Sequence, residues 1–170
     1  MKNLKYLIYL TTIIAAVSCS ELEEAPHGFL ANDNFYSTEE NVYSGLQYAY
    51  QASQRSDFYY RWMNIALLGT GTTDTKPSFT QRNATEFRQW TFTSATEALR
   101  EFFAGCYTGI SRANTVLDNT EKIEFSSESL KNQYIGEAKF IRAFYYFYLV
   151  RLYGEVPVYT DAKNPNVTYE

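Results

Sequence analysis

Gly136-Glu137-Ala138-Lys139-Phe140-Ile141-Arg142-Ala143-Phe144-Tyr145-Tyr146-Phe147-Tyr148-Leu149-Val150-Arg151-Leu152-Tyr153-Gly154-Glu155-Val156-Pro157 is the stretch that decides the fold. It ends a helix that starts at Ser126 or Ser127 and runs to Tyr153, with apolar residues recurring at three and four positions. Ile135, Ala138, Ile141, Tyr145, Leu149 and Leu152 share one face, and Gly136, Phe140, Ala143, Phe147 and Val150 share another. A helix apolar on two faces is expected to be buried on two sides. Gly136, Ala138 and Ala143 leave room there for close neighbours. Gly154 stands where a left-handed C-terminal cap belongs, and Pro157 keeps the helix from resuming. Val156 to Thr160 then reads as extended and Asp161 to Glu170 as loop.

Two further helices precede it. Leu99, Phe102, Phe103, Cys106, Ile110, Ala113 and Leu117 form the cleanest apolar stripe in the chain, after a capping box at Ser94-Ala95-Thr96-Glu97. Cys106 lies inside that stripe and reads as a small buried hydrophobe rather than a nucleophile. A similar box at Ser37-Thr38-Glu39-Glu40 opens a helix carrying Val42, Tyr43, Leu46, Ala49, Tyr50 and Ser53 on one side. Between them, Asp57 to Leu68 reads as a short helix or a packed loop, with Trp62 in the core. Gly69 to Asn83 reads as a long loop, a length usually reserved for function or motion. Three amphipathic helices with the last sandwiched give an all-α fold of stacked helical hairpins with long irregular loops. Nothing later in the chain is expected to cover the second face of the third helix. The architecture therefore reads as incomplete, and a fragment, a truncated reading frame or a decayed gene would each explain it.

The first 18 residues read as a cleavable leader. Lys2 and Lys5 supply its positive start, and Tyr6 to Val17 is apolar apart from Thr11 and Thr12. That run is too short for the roughly 20 helical residues a bilayer span requires. Ala16-Val17-Ser18-Cys19 is similar to the lipobox of bacterial lipoproteins, although Ala16 stands where Leu is commonest. The resemblance implies acylation of Cys19, with enough acyl chains for stable membrane residence. The competing reading is an ordinary secretory signal with a chance cysteine. Residues 19–34 form a tether in which Glu21, Glu23 and Glu24 sit beside the lipid. This acidic run resembles the export signal that sends Bacteroidetes lipoproteins to the outer face of the outer membrane. Residues 35–170 form the helical domain.

Composition narrows the function classes. The chain of 170 residues carries a formal charge of −4, and loss of the leader's two lysines takes it to −6. Its 15 cations are scattered, which argues against nucleic acid as a partner. Aromatic residues make up 18%, with 16 Tyr and 12 Phe, a composition suited to binding faces with an apolar body and a wet edge. His27, in the tether, is the only histidine, which leaves no His-based triad or metal pair and no cofactor expected. Glu137 and Arg142 lie five apart, off a common face, and are expected to pair with neighbouring helices.

The run from Gly136 to Pro157 closely resembles the hallmark of the SusD/RagB family of nutrient-uptake outer-membrane lipoproteins. Tyr107-Thr108-Gly109-Ile110-Ser111-Arg112-Ala113-Asn114 resembles that family's preceding helix, and the leader and Phe35 to Glu40 fall in the family's order. The resemblance implies a scaffold of tetratricopeptide-like hairpins and a binding protein without enzymatic activity. It implies an oligosaccharide or other nutrient as ligand, and a SusC-type TonB-dependent outer-membrane transporter as partner. Family members are several hundred residues long, so this chain corresponds to the N-terminal portion.

Sugar rings present an apolar face and a polar edge, so their binding sites combine aromatic platforms with polar rims. Trp90 and Phe79, flanking Arg82 and Asn83, are aromatic and off the helix periodicities, and Asp74 offers an acceptor in the same stretch. Packing against the start of the second helix is the competing role for Trp90. The rival classes are a helical-repeat module that binds protein alone, which the leader disfavours, and a secreted hydrolase, which lacks paired acids or a nucleophile elbow.

Overall fold

Thr38 decides where the first helix begins. Its backbone is extended (φ −139°, ψ 161°) and its hydroxyl accepts the Asn41 amide at 3.3 Å, starting α1 at Glu39–Gln51. The computed structural model describes residues 35–68, 70 and 82–162, with backbone alone at 82 and 83. The leader, Cys19, His27 and the tether lie outside those residues. The cap is one residue later than the box expected at Ser37–Glu40. The Asn41 carboxamide donates to Phe35 O at 2.6 Å and to Ser37 Oγ at 3.2 Å, which holds Ser37 outside the helix. Glu39, not Glu40, accepts from a backbone amide, that of Ser126 at 2.9 Å. α1 buries Val42, Gly45, Leu46 and Ala49, whereas Tyr43 and Tyr50 lie exposed at the edges of the stripe.

A 3₁₀ turn, Ala52–Gln54, leads into a helical segment in which the wide turns Ser56–Tyr60 and Asn64–Leu68 flank one α turn, α2, Arg61–Met63. Phe58 is buried there, stacked on Phe102 at 5.0 Å and edge-on to Tyr145 at 5.2 Å. Trp62 packs against the same core, edge-on to Tyr148 at 4.7 Å, as its sequence context suggested. Arg82 and Asn83, read as the end of a loop, instead open a short helix, α3, Arg82–Arg88. Its Ala84 and Phe87 form a small second cluster with Leu68 and Ala98.

The two long helices follow. α4 is Glu97–Thr120 and α5 is Glu128–Tyr153. The Ser94–Glu97 box does not form. Thr96 is the cap residue, but its hydroxyl donates to Glu86 Oε2 at 2.9 Å and accepts the Thr93 amide at 3.0 Å, so a carboxylate on α3 captures it. Phe102, Cys106, Ile110 and Ala113 are buried, as their period requires. Ser127 caps α5, accepting the Leu130 amide at 3.2 Å. Gly154 ends it with φ 75° and ψ −128°, a positive φ outside the left-handed helical region that was expected, and its N–H bonds Val150 O at 3.1 Å.

Hydrogen bonds fix the helix directions. Tyr153 at the end of α5 donates to Leu99 O at 2.6 Å, and Lys131 near its start pairs with Glu121 at 3.2 Å, so α4 and α5 form an antiparallel hairpin. α1 runs parallel to α5: Tyr43 meets the Tyr134 ring at 5.8 Å, and Tyr50 donates to Glu137 at 3.2 Å. Gly109 permits the closest approach, because a Cβ there would lie inside the Tyr145 ring. Among the described residues the fold is all-α with no strand, as the sequence indicated.

Among the described residues α5 is covered on one face only, as the sequence, with two helices to pack on it, indicated. α1 and α4 both lie on the face of α5 that carries Ala138, Ile141, Tyr145 and Leu149. The second apolar face is uncovered among the described residues: Phe140 is 65% exposed, Phe147 55% and Val150 54%.

Candidate ligand-binding groove

Beyond α3 the chain makes a turn in which Trp90 N–H bonds Phe87 O at 3.3 Å and Thr91 N–H bonds Glu86 O at 3.0 Å. Trp90 takes φ 56°, a left-handed conformation that is a genuine outlier for so bulky a residue. The turn leaves its indole 64% exposed. Phe92 lies 6.2 Å from the Trp90 ring and 5.1 Å from Phe87, giving a short aromatic row.

This row borders a groove of about 850 Å³. Phe87, Trp90 and Phe92 line it from the turn, Leu99, Arg100, Phe103 and Ala104 from α4, and Leu152 and Tyr153 from the end of α5, with Ile65 and Ser94 completing it among the described residues. Tyr153 sits edge-on to Phe103 at 5.0 Å, and burial pushes its phenol pKa up. Its proton is committed to Leu99 O. Arg100 is exposed and makes no ion pair among the described residues. The groove thus offers apolar faces with polar groups set among them, an arrangement suited to a ring-shaped ligand with a polar edge.

Trp90 is the one expected ligand contact whose side chain is described, and it lines the groove together with Leu99 and Arg100 at the start of α4. Asp74 and Phe79 lie outside the described residues, as do the side chains of Arg82 and Asn83. Phe92, Arg100, Phe103 and Tyr153 were missed by sequence reasoning. Phe92, two residues from Trp90 and outside any helical period, carried a signal of the same kind. Arg100 carried none, because an exposed cation on an amphipathic helix reads as solvated surface.

Several chemically tempting groups are engaged structurally. Glu137 accepts from Tyr50 and from Gln133 Nε2 at 2.9 Å. Arg142 donates to Asn114 Oδ1 and to Thr160 O, both at 2.9 Å. Asn114, buried in α4, donates in turn to Tyr159 O at 3.0 Å and Asp161 O at 3.2 Å. Tyr107 adds a bond to Pro157 O at 2.7 Å, and Tyr146 accepts the Tyr159 amide at 2.6 Å. Together they clamp the extended segment after α5 onto the hairpin. Cys106 is fully buried, and burial, aided by Asp57, pushes its thiol up to about 12, so it carries no thiolate near neutrality.

Comparisons with known proteins agree with this architecture. A SusD-like family model, described as "Starch-binding associating with outer membrane", matches residues 21–170. A SusD-like protein of Formosa agariphila is 29% identical over 158 residues, covering 92% of this chain and 31% of the relative. A SusD-like protein of Bacteroides ovatus is 29% identical over 161 residues, covering 92% of this chain and 29% of the relative. The crystal structure of a SusD superfamily protein from Parabacteroides distasonis superposes with a TM-score of 0.58 at 27% identity, over 76% of this chain and 28% of that one. The chain thus spans about a third of the length of the relatives it matches. Its helix order and the extent of the match make it a member of the SusD-like family, corresponding to the N-terminal portion.

Proposed function

We propose that the chain is the N-terminal portion of a lipid-anchored glycan-binding protein on the cell surface. In this reading it captures an oligosaccharide and passes it to a SusC-type TonB-dependent transporter in the outer membrane. Family membership supports the class, since the family's description couples starch binding to the outer membrane. The observation that carries the ligand reading is Trp90, held exposed in a strained backbone at the edge of an aromatic groove. Strain of this kind persists where surrounding structure enforces it, and it clusters at ligand sites. Asp74, Phe79, Arg82 and Asn83 are proposed to contribute polar and aromatic contacts to the same ligand. The protein binds without chemistry: Cys106 is buried as a neutral thiol, and Glu137 and Arg142 are engaged with other helices.

A screen of purified full-length chain against neutral and acidic oligosaccharides tests the ligand reading. Binding that disappears in Trp90→Gly supports it, and binding indifferent to that change removes the groove from consideration. The anchor has its own test. Cys19, freed by removal of Met1 to Ser18, is expected to be the acylated first residue in mass spectra of membrane-extracted protein. An unmodified N-terminus elsewhere would refute lipidation.

A second reading, a helical module that binds protein alone, is favoured by the uncovered Phe140, Phe147 and Val150 face of α5. Glycan binding lost on Trp90→Gly would decide against it.

A further inference from the structure

We infer that the Trp90 groove takes an anionic oligosaccharide, one whose rings carry a carboxylate or a sulfate ester, and that Arg100 selects it. The inference rests on the glycan-binding reading of the same groove. Among the described residues that line it, only Trp90, Ser94, Arg100 and Tyr153 carry polar side-chain atoms. The Trp90 indole and the Arg100 guanidinium can only donate, whereas the Ser94 hydroxyl and the Tyr153 oxygen, its proton committed to Leu99 O, can accept. Arg100 brings a full positive charge to the groove, and a carboxylate or sulfate ester meets it with negative oxygens that only accept, which a neutral sugar lacks. The planar guanidinium also meets carboxylate and sulfate oxygens two at a time.

The charge around Arg100 is uncompensated for a local reason. Glu101, its neighbour in sequence, is paired with Arg61. Glu86 accepts from Thr96, and Glu97, one turn earlier on α4, is engaged in an interaction of its own. Among the described lining residues Arg100 is the cation of the groove. The chain as a whole is negative, so long-range attraction does not draw an anion in. Selection has to come from short-range contact at Arg100 while a ring stacks on Trp90.

Calorimetric titration of the full chain with an oligogalacturonide, a sulfated galactan oligosaccharide and a maltooligosaccharide of equal length tests this. At low ionic strength at least one anionic ligand is expected to bind about tenfold tighter than the neutral one, the size of one charge-assisted contact. The preference should shrink as salt is raised. The two anionic arms show whether carboxylate or sulfate is the group recognised. Arg100→Gln, at an exposed helix position and checked for retained helicity, should abolish the preference, so that anionic and neutral ligands bind alike. Arg100→Lys should restore part of it. Equal affinity for all three ligands, unchanged by Arg100→Gln but lost in Trp90→Gly, would overturn the anionic inference and leave the glycan reading standing. No heat from any ligand, as when another part of the protein fills the groove, would overturn both.

Discussion

Trp90 carries a backbone cost that its packing does not offset. A left-handed conformation costs an L residue about 1–2 kcal/mol, and here the residue is 64% exposed, with its ring 6.2 Å from that of Phe92. Trp90→Gly relieves that cost but frees the unfolded chain by about 0.4–1 kcal/mol, so stability in chemical denaturation is expected to be unchanged or raised by up to about 1 kcal/mol, while ligand binding is lost. A destabilised glycine variant would show the indole to be a structural residue. Buried Cys106 and Tyr145 make a second prediction. Burial pushes both up to about 12, from 9.0 for the thiol and 10.0 for the phenol. The native state keeps these protons where the unfolded chain releases them. Their stabilisation is whole below about pH 9 and declines as pH rises toward 12, by on the order of 1 kcal/mol per group and pH unit. Denaturation midpoints that stay level from pH 8 to 11 would contradict this, and Tyr145→Phe should flatten the decline.

At the scale of elements, the segment following α5 depends on side chains rather than on a ladder. Asn114 supplies donors to two of its carbonyls and an acceptor to Arg142. Asn114→Ala removes three hydrogen bonds at a buried position, although Tyr159 O keeps Tyr146 and Arg142 keeps Thr160 O, and should cost about 1–2 kcal/mol. Hydrogen exchange is expected to show the loss first in residues 156–162, with the α4–α5 hairpin still protected. Uniform loss of protection across both helices would mean that Asn114 supports the hairpin itself. The helix boundaries show what is legible locally. Ser127 and Gly154 end α5 where the sequence places its limits, because cap and stop are made by neighbours in the chain. Thr38 and Thr96 take the cap positions in place of Ser37 and Ser94: the Asn41 carboxamide occupies the Ser37 hydroxyl in one case, and Glu86 of α3 holds Thr96 in the other.

At the scale of the whole molecule, the uncovered face of α5 is the dominant feature. Phe140, Phe147 and Val150 line one side of a helix whose opposite side is already packed on α1 and α4. A contiguous apolar patch of this kind drives association. Sedimentation is expected to show concentration-dependent self-association of the chain. Phe140→Glu combined with Phe147→Glu should shift it toward monomer with little change in stability, because both side chains are exposed. Monodisperse behaviour of the unsubstituted chain at high concentration would refute this.

The residues alone determined the all-α class, the three main helices and the inward stripe of α4. Each of these follows from hydrogen bonding within a helix and from the 3.6-residue period, both local to the chain. Tertiary structure decided which of two apolar faces on α5 is covered, since either would satisfy the pattern and only the placement of α1 and α4 distinguishes them. It also decided the groove. Trp90 is exposed because a turn three residues after Phe87 takes a left-handed residue. Among the described residues Arg100 is the cation of the groove, while Glu101 pairs with Arg61, forty positions earlier. Pairings across that distance depend on how the helices stack, which no local pattern records.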